Sequence, residues 1–126
     1  MSRARRGERG SITVVAAAVL ALLAVFVLAT ADATRALLAV GRAQTAADAA
    51  ALAAAQELVS PSGADPQAAA SRYAEANGGR LVTCECEAGT TEATVDVAVP
   101  AGHFLLLPGP DAVTRSARAV VGGASA

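Results

Sequence analysis

Residues 12–31 read ITVVAAAVLALLAVFVLATA, and this apolar stretch decides the fold. It contains twenty residues and no charged side chain. A helix rises about 1.5 Å per residue, so twenty residues cover the roughly 30 Å of hydrocarbon in a bilayer. Soluble core helices are seldom this long and this uniformly apolar. The sequence therefore predicts a transmembrane helix at Ile12–Ala31.

The charges on the two sides of this helix predict its orientation. Residues 1–9 hold four arginines and one glutamate, and Asp32 follows the apolar stretch directly. Basic residues next to a span favour the cytoplasmic side of the membrane. We therefore expect a cytoplasmic basic N-terminus at residues 1–11 and an extracytoplasmic location for residues 32–126.

A secretory signal peptide is the alternative interpretation of the same stretch. Ala29-Thr30-Ala31 is an A-x-A pattern, and cleavage after Ala31 would release a small secreted binding module. Signal peptides usually have only about 7–15 apolar residues, and here the helical pattern continues beyond the cleavage site. The sequence thus favours an uncleaved, single-pass membrane anchor.

The helix is expected to continue well past the membrane. No proline occurs in residues 1–60, and alanine and leucine dominate residues 32–58. We expect one helix from Ile12 to Leu58, with residues 32–59 as an extracytoplasmic stalk. A helical wheel predicts a solvated face and an opposite apolar arc. The solvated face comprises Asp32, Arg35, Arg42 and Glu57, and the arc comprises Leu37, Val40, Leu52, Leu58 and Val59.

Two polar residues, Gln44 and Asp48, fall inside the predicted apolar arc. Either they bond to the protein's own small domain, or they fix register against a partner helix. Nine of the thirteen residues 43–55 are alanine, which permits the close approach of another helix. The hypothetical partner-helix interface consists of Gln44, Ala47, Asp48 and Ala51.

Residues 60–126 read as a small α/β module, which gives an α+β fold with a small antiparallel sheet of two to three strands. Breakers at residues 60–64 precede an Asp65-Pro66 helix start, and this short helix is expected to reach Asn77. Strands are predicted at 80–87, 91–99 and 114–121, with alternate residues of the second strand facing inward. Leu105–Leu107 is expected to join the core, and residues 122–126 form a frayed tail.

Residues 9–58 resemble the N-terminal segment of TadE/TadG-like proteins, and most closely the short actinobacterial subgroup. The resemblance is carried by Arg9-Gly10-Ser11, the apolar span, Asp32, and the run RAQTAADAAALAAA at 42–55. Such proteins are pilin-like components associated with Tad (Flp) pilus machinery. The resemblance implies a membrane-anchored structural protein whose partners are other pilin-like or Tad subunits. It also implies a processing site at Gly10, although Val15 stands where pilin-like chains carry Glu.

Little in the sequence predicts chemistry. Cys84 and Cys86 share one strand face, where a disulfide between them would be strained. They are expected to be small buried residues, and a redox role and an intermolecular disulfide are the alternatives. His103 is the sole histidine, so a zinc site lacks ligands. No nucleophile or phosphate-loop motif occurs, and there is no tryptophan for base stacking. We predict no enzyme activity, cofactor, nucleic acid or small-molecule substrate.

Overall fold

The computed structural model describes residues 5–60 and 62–122, with side chains from Gly10 onward. Two helices precede three strands in an α+β arrangement, as the sequence predicts. The basic side chains before Gly10, Pro61 of the breaker cluster and residues 123–126 of the tail lie outside the described side chains. The elements are α1 (Arg5–Val59), α2 (Pro66–Ala76), β1 (Arg80–Glu85), β2 (Glu92–Pro100) and β3 (Ala112–Val120).

Helix α1 is one continuous helix of 55 residues, which confirms the prediction from its lack of proline. It begins before Ile12 and ends one residue after Leu58. Its first half is uncovered, with Leu22 70% and Phe26 68% exposed. This part of α1 is long and apolar enough to cross a membrane.

The second half of α1 packs with α2 against one face of the sheet. The strand order is β1-β2-β3, and both pairings are antiparallel. Val95 and Val97 of the central strand are fully buried, and the predicted inward alternation of β2 is confirmed. The buried residues that α1 contributes to this core are all alanine: Ala43, Ala46, Ala47, Ala50, Ala51, Ala54 and Ala55.

Only part of the predicted apolar arc of α1 packs against the core: Leu58 does so, but Leu37 and Leu52 do not. Leu37 is 73% and Leu52 is 51% exposed, whereas the alanines of residues 43–55 that face the sheet are buried. Small side chains let the helix lie close to the sheet, and leucines on that face would hold the two layers apart. The second half of α1 is therefore part of the module's core.

The close packing of α1 against the sheet also explains why a glycine, Gly79, precedes β1. A Cβ atom on Gly79 would lie 2.5 Å from Cγ1 of Val97 and 3.2 Å from Cβ of Ala46. Only glycine fits here without displacing the layers.

Helix α2 begins at the predicted N-cap. The Asp65 carboxylate accepts a hydrogen bond from the Ala68 N–H at 3.0 Å.

Candidate functional site

The outward side of α1 carries an exposed stripe that we call the outer seam, formed by Leu37, Gly41, Gln44, Asp48 and Leu52. These residues are spaced three or four apart, so they share one helix face. At the centre of the seam, the Gln44 amide Nε2 donates to Oδ1 of Asp48 at 2.9 Å. The two polar residues thus satisfy part of each other's hydrogen-bonding capacity while both remain exposed.

The four residues of the predicted partner-helix interface lie in two different environments. Gln44 and Asp48 lie on the outer seam. Ala47 and Ala51 are 0% and 1% exposed and belong to the alanine face under the sheet. The surface that α1 leaves open to another helix therefore includes the polar pair but not these two alanines.

Asp32 forms a second feature, at the first position after the apolar stretch. Its carboxylate accepts hydrogen bonds from three consecutive backbone N–H groups. Oδ1 accepts from Leu105 at 2.7 Å, and Oδ2 accepts from Leu106 and Leu107 at 2.8 and 3.3 Å. Asp32 is 2% exposed, so the prediction of a solvated face was wrong at this residue. We call this arrangement the Asp32 clamp.

The electrostatics of the clamp favour an ionised carboxylate. The backbone N–H groups of Leu105, Leu106 and Leu107 hold the pKa of Asp32 below its ordinary value, against an opposing effect of burial. Nη1 of Arg35 lies 3.8 Å from Oδ1 of Asp32 and adds a smaller attraction. The same Nη1 donates to the carbonyl oxygen of His103 at 3.0 Å, which fixes the loop from a second side.

The clamp holds the loop at 104–110 against the end of the apolar stretch. A small cavity is lined on the helix side by Ala29, Asp32, Ala33 and Ala36, and on the loop side by Phe104, Leu107, Pro108, Gly109 and Pro110. The Phe104 ring lies directly over Gly109, where any Cβ atom would collide with it. The loop thus meets α1 at Ala29, within the predicted span.

The expectation that Leu105–Leu107 would join the core is wrong. The three leucines are 52%, 42% and 62% exposed. The space between α1 and the sheet is already filled by alanine and valine, so the loop lies beyond the sheet along α1. The sequence signal for this site was an acidic residue placed directly after the span.

The cysteines lie at the other end of the sheet. Cys84 and Cys86 are joined as a disulfide with Cα atoms 5.4 Å apart, and both pack at the edge of the core. Glu85, Glu87 and Glu92 line the same shallow surface. Within the part of the chain that the structure describes, no group of three or more metal-ligating side chains occurs.

The two predicted processing positions both lie on α1. Gly10 is exposed near the start of the described side chains. Ala31 lies inside the continuous helix, and Ala29, two residues earlier, lines one cavity together with the 104–110 loop. Processing at either position remains a prediction.

The first half of α1 is exposed, apolar and long enough to cross a membrane, and its second half packs its alanine face against the three-stranded sheet. The fold is therefore that of an α+β protein built on one long helix. Residues 10–57 match the family described as putative Flp pilus-assembly TadE/G-like. This segment of the chain is therefore similar to TadE/TadG-like proteins, as the resemblance of residues 9–58 predicts. The matched segment lies wholly within α1. No curated protein and no solved structure shows significant similarity.

Proposed function

We propose that this protein is a membrane-anchored, pilin-like structural subunit associated with Tad/Flp-type pilus or related secretion machinery. In this proposal Ile12–Ala31 spans the membrane, with residues 1–11 in the cytoplasm and 32–126 outside. Partner helices of other pilin-like or Tad subunits bind to the outer seam. The carrying observation is that one helix holds both the uncovered apolar span and, further along, the exposed seam.

The chemistry of the outer seam supports a helix as its partner. Leu37 and Leu52 supply apolar surface at its two ends, and Gly41 permits close approach of a backbone. Gln44 and Asp48 already bond to each other, so covering them leaves fewer polar atoms without a partner. A polar pair in an apolar seam also specifies register, because any shifted packing would bury it against apolar groups.

The family match is to a pilus-assembly family, and the proposed role is structural rather than catalytic. In this proposal the protein uses no cofactor and binds neither nucleic acid nor a small-molecule substrate. Its partners are the lipid bilayer and neighbouring helices. The Cys84–Cys86 disulfide is compatible with an oxidising, extracytoplasmic location for the module.

The position of the 104–110 loop supports an uncleaved anchor over release as a secreted module. Cleavage after Ala31 would remove Ala29 from the cavity that it lines with the 104–110 loop and leave Asp32 as the new N-terminus. We expect mass spectrometry of membrane and supernatant fractions to find the mature chain in the membrane, beginning at Met1, Ser2 or Ser11. A supernatant form beginning at Asp32 would contradict the proposed function.

The seam makes a second prediction. A photo-crosslinking residue in place of Leu52 would report contacts of the seam with membrane partners. We expect Asp48→Leu and Gln44→Leu each to lower the yield of these crosslinks several-fold relative to the protein with an unchanged polar pair. Each change removes the polar pair that favours one register, so the partner helix is no longer held at Leu52. The yield and identity of crosslinked partners in isolated membranes provide the measurement.

The matched control is Glu75→Leu, which replaces an exposed acid on α2 rather than on α1. It should leave the crosslinks unchanged. All three substitutions are at exposed positions, so amide exchange in β2 should stay at the wild-type level and show that the module is folded. Unchanged crosslinking in both seam variants would remove the role assigned to Gln44 and Asp48.

A further inference from the structure

The loop beside the span presents an apolar surface that the proposed function leaves unused. We propose that Leu105, Leu106 and Leu107 insert into the outer interface of the bilayer that α1 spans, as a second membrane contact of the module. This inference rests on the proposed anchoring by α1. The ligand is therefore the lipid at the boundary between headgroups and acyl chains.

The height of the loop along α1 is the first argument. The Asp32 clamp ties Leu105–Leu107 to the first residue after the apolar stretch. Phe104 and Leu107 face the same small cavity as Ala29, which belongs to the last turn of that stretch. If Ile12–Ala31 lies in the bilayer, the leucines lie at its outer hydrocarbon boundary. The lipid contact of the loop is then continuous with that of the helix.

The polar groups of the loop are the second argument. Backbone N–H groups that enter a lipid environment need partners, because no water is present to replace them. The three N–H groups of Leu105, Leu106 and Leu107 all donate to Asp32. The Asp32 carboxylate is itself shielded at 2% exposure, so its charge is directed into the loop and away from the lipid.

The side chains facing outward fit an interfacial location. Three consecutive leucines, 42–62% exposed, form an apolar cluster that water disfavours and acyl chains accept. Arg35 lies beside them, with its side chain 44% exposed and one guanidinium nitrogen bonded to the His103 carbonyl. A cation just outside the hydrocarbon boundary is well placed for lipid phosphates.

Tryptophan fluorescence tests this contact directly, because the chain contains no native tryptophan. The full-length protein is reconstituted in phosphatidylcholine vesicles with acyl chains brominated either near the headgroup or near the chain end. Leu106→Trp reports on the loop, and Phe26→Trp reports on the span. Ala88→Trp reports on the exposed β1–β2 turn, at the opposite end of β2 from the loop.

We expect Leu106→Trp to be blue-shifted and to lose most of its emission with lipids brominated near the headgroup. Phe26→Trp should be quenched more by bromine deeper in the chain, and Ala88→Trp should be quenched by neither lipid. Leu106 is on the surface, so the substitution leaves the core intact. Leu105→Trp is a second reporter at a neighbouring exposed position.

The controls separate failure of this inference from failure of the proposed anchoring. Quenching of Phe26→Trp without quenching of either loop reporter would overturn the loop contact while the membrane anchor stands. A blue-shifted but unquenched Leu106→Trp would likewise overturn it, because a protein surface or a second copy would then cover the leucines. Absence of quenching at Phe26→Trp would overturn the anchor, and the loop contact with it.

Discussion

Replacing Asp32 by alanine should release the 104–110 loop from α1 while leaving the sheet folded. The change removes the shared acceptor of three N–H groups, each bonded to a charged oxygen. Hydrogen bonds to charged groups are among the stronger ones in proteins. We expect amide exchange at Leu105, Leu106 and Leu107 to accelerate by about a hundredfold, since local opening governs exchange. Hydrogen–deuterium exchange of the full chain in detergent or nanodiscs provides the measurement.

Asp48→Ala is the matched control, because it removes an exposed acid from the same helix. It should leave exchange in the loop unchanged. Asp32→Asn should give an intermediate effect, since one amide oxygen still accepts while the charge is lost. Wild-type exchange at all three leucine amides in Asp32→Ala would show that interactions other than the Asp32 clamp hold the loop against α1.

The clamp should also depend on pH in a defined direction. The pKa of Asp32 is lowered in the folded loop from its ordinary value of 3.8, chiefly by the Leu105 and Leu106 N–H groups. A depressed pKa means that the stabilisation is complete above the ordinary value and is lost as the pH falls through the lower, folded value. The loop of the wild-type protein should therefore stay docked at neutral pH and detach in strong acid. In Asp32→Ala, loop exchange should lack this acid transition.

Much of the fold follows from local signals in the sequence. The lack of proline in residues 1–60 predicts the continuous α1, and Asp65-Pro66 predicts the start of α2. Strict alternation along β2 predicts which residues face inward. Each of these signals depends on neighbouring residues only, so no knowledge of tertiary packing is needed.

The orientation of α1 could not be predicted in the same way. The helical wheel groups Leu37 and Leu52 in one apolar arc but leaves open whether the module or a partner helix covers that arc. In the structure the alanines face the sheet, because the layers approach so closely that a Cβ atom on Gly79 would collide with Val97 and crowd Ala46. The distance between two layers is a property of the whole fold, and the helical wheel carries no information about it.

The Asp32 clamp was missed for a related reason. Its partner Leu105 lies 73 residues further along the chain. The donor is a backbone N–H group, which almost every residue has, so the residue types give no sign of this hydrogen bond. An acid after an apolar span was explained as its polar boundary, and a leucine triplet was explained as core. Both explanations treated each segment alone, whereas the structure joins the two segments at the end of the span.

The alanine face of α1 should tolerate enlargement poorly. Ala47 is completely buried against the sheet, in a core composed mainly of alanine and valine. Ala47→Leu adds three carbon atoms where no space is available, and overpacking of this kind costs roughly 1–3 kcal/mol or more. The free energy of unfolding of so small a module is itself only a few times larger. We therefore expect the sheet to detach from α1 and amide exchange in β2 to become fast.

Gln44→Leu is the matched control, since it introduces the same side chain three residues earlier on the outer seam. Both substitutions place leucine on α1, so a difference between them reports on the face rather than on helix propensity. Fast amide exchange in β2 of Ala47→Leu, with wild-type exchange in Gln44→Leu, would show that the alanine face belongs to the core and that the outer seam is free for partners. If Ala47→Leu instead changes the Leu52 crosslinks while β2 exchange stays at the wild-type level, Ala47 contacts a partner helix. The elements packed on α1 would then have to move away from it during assembly, because in this fold Ala47 is completely buried.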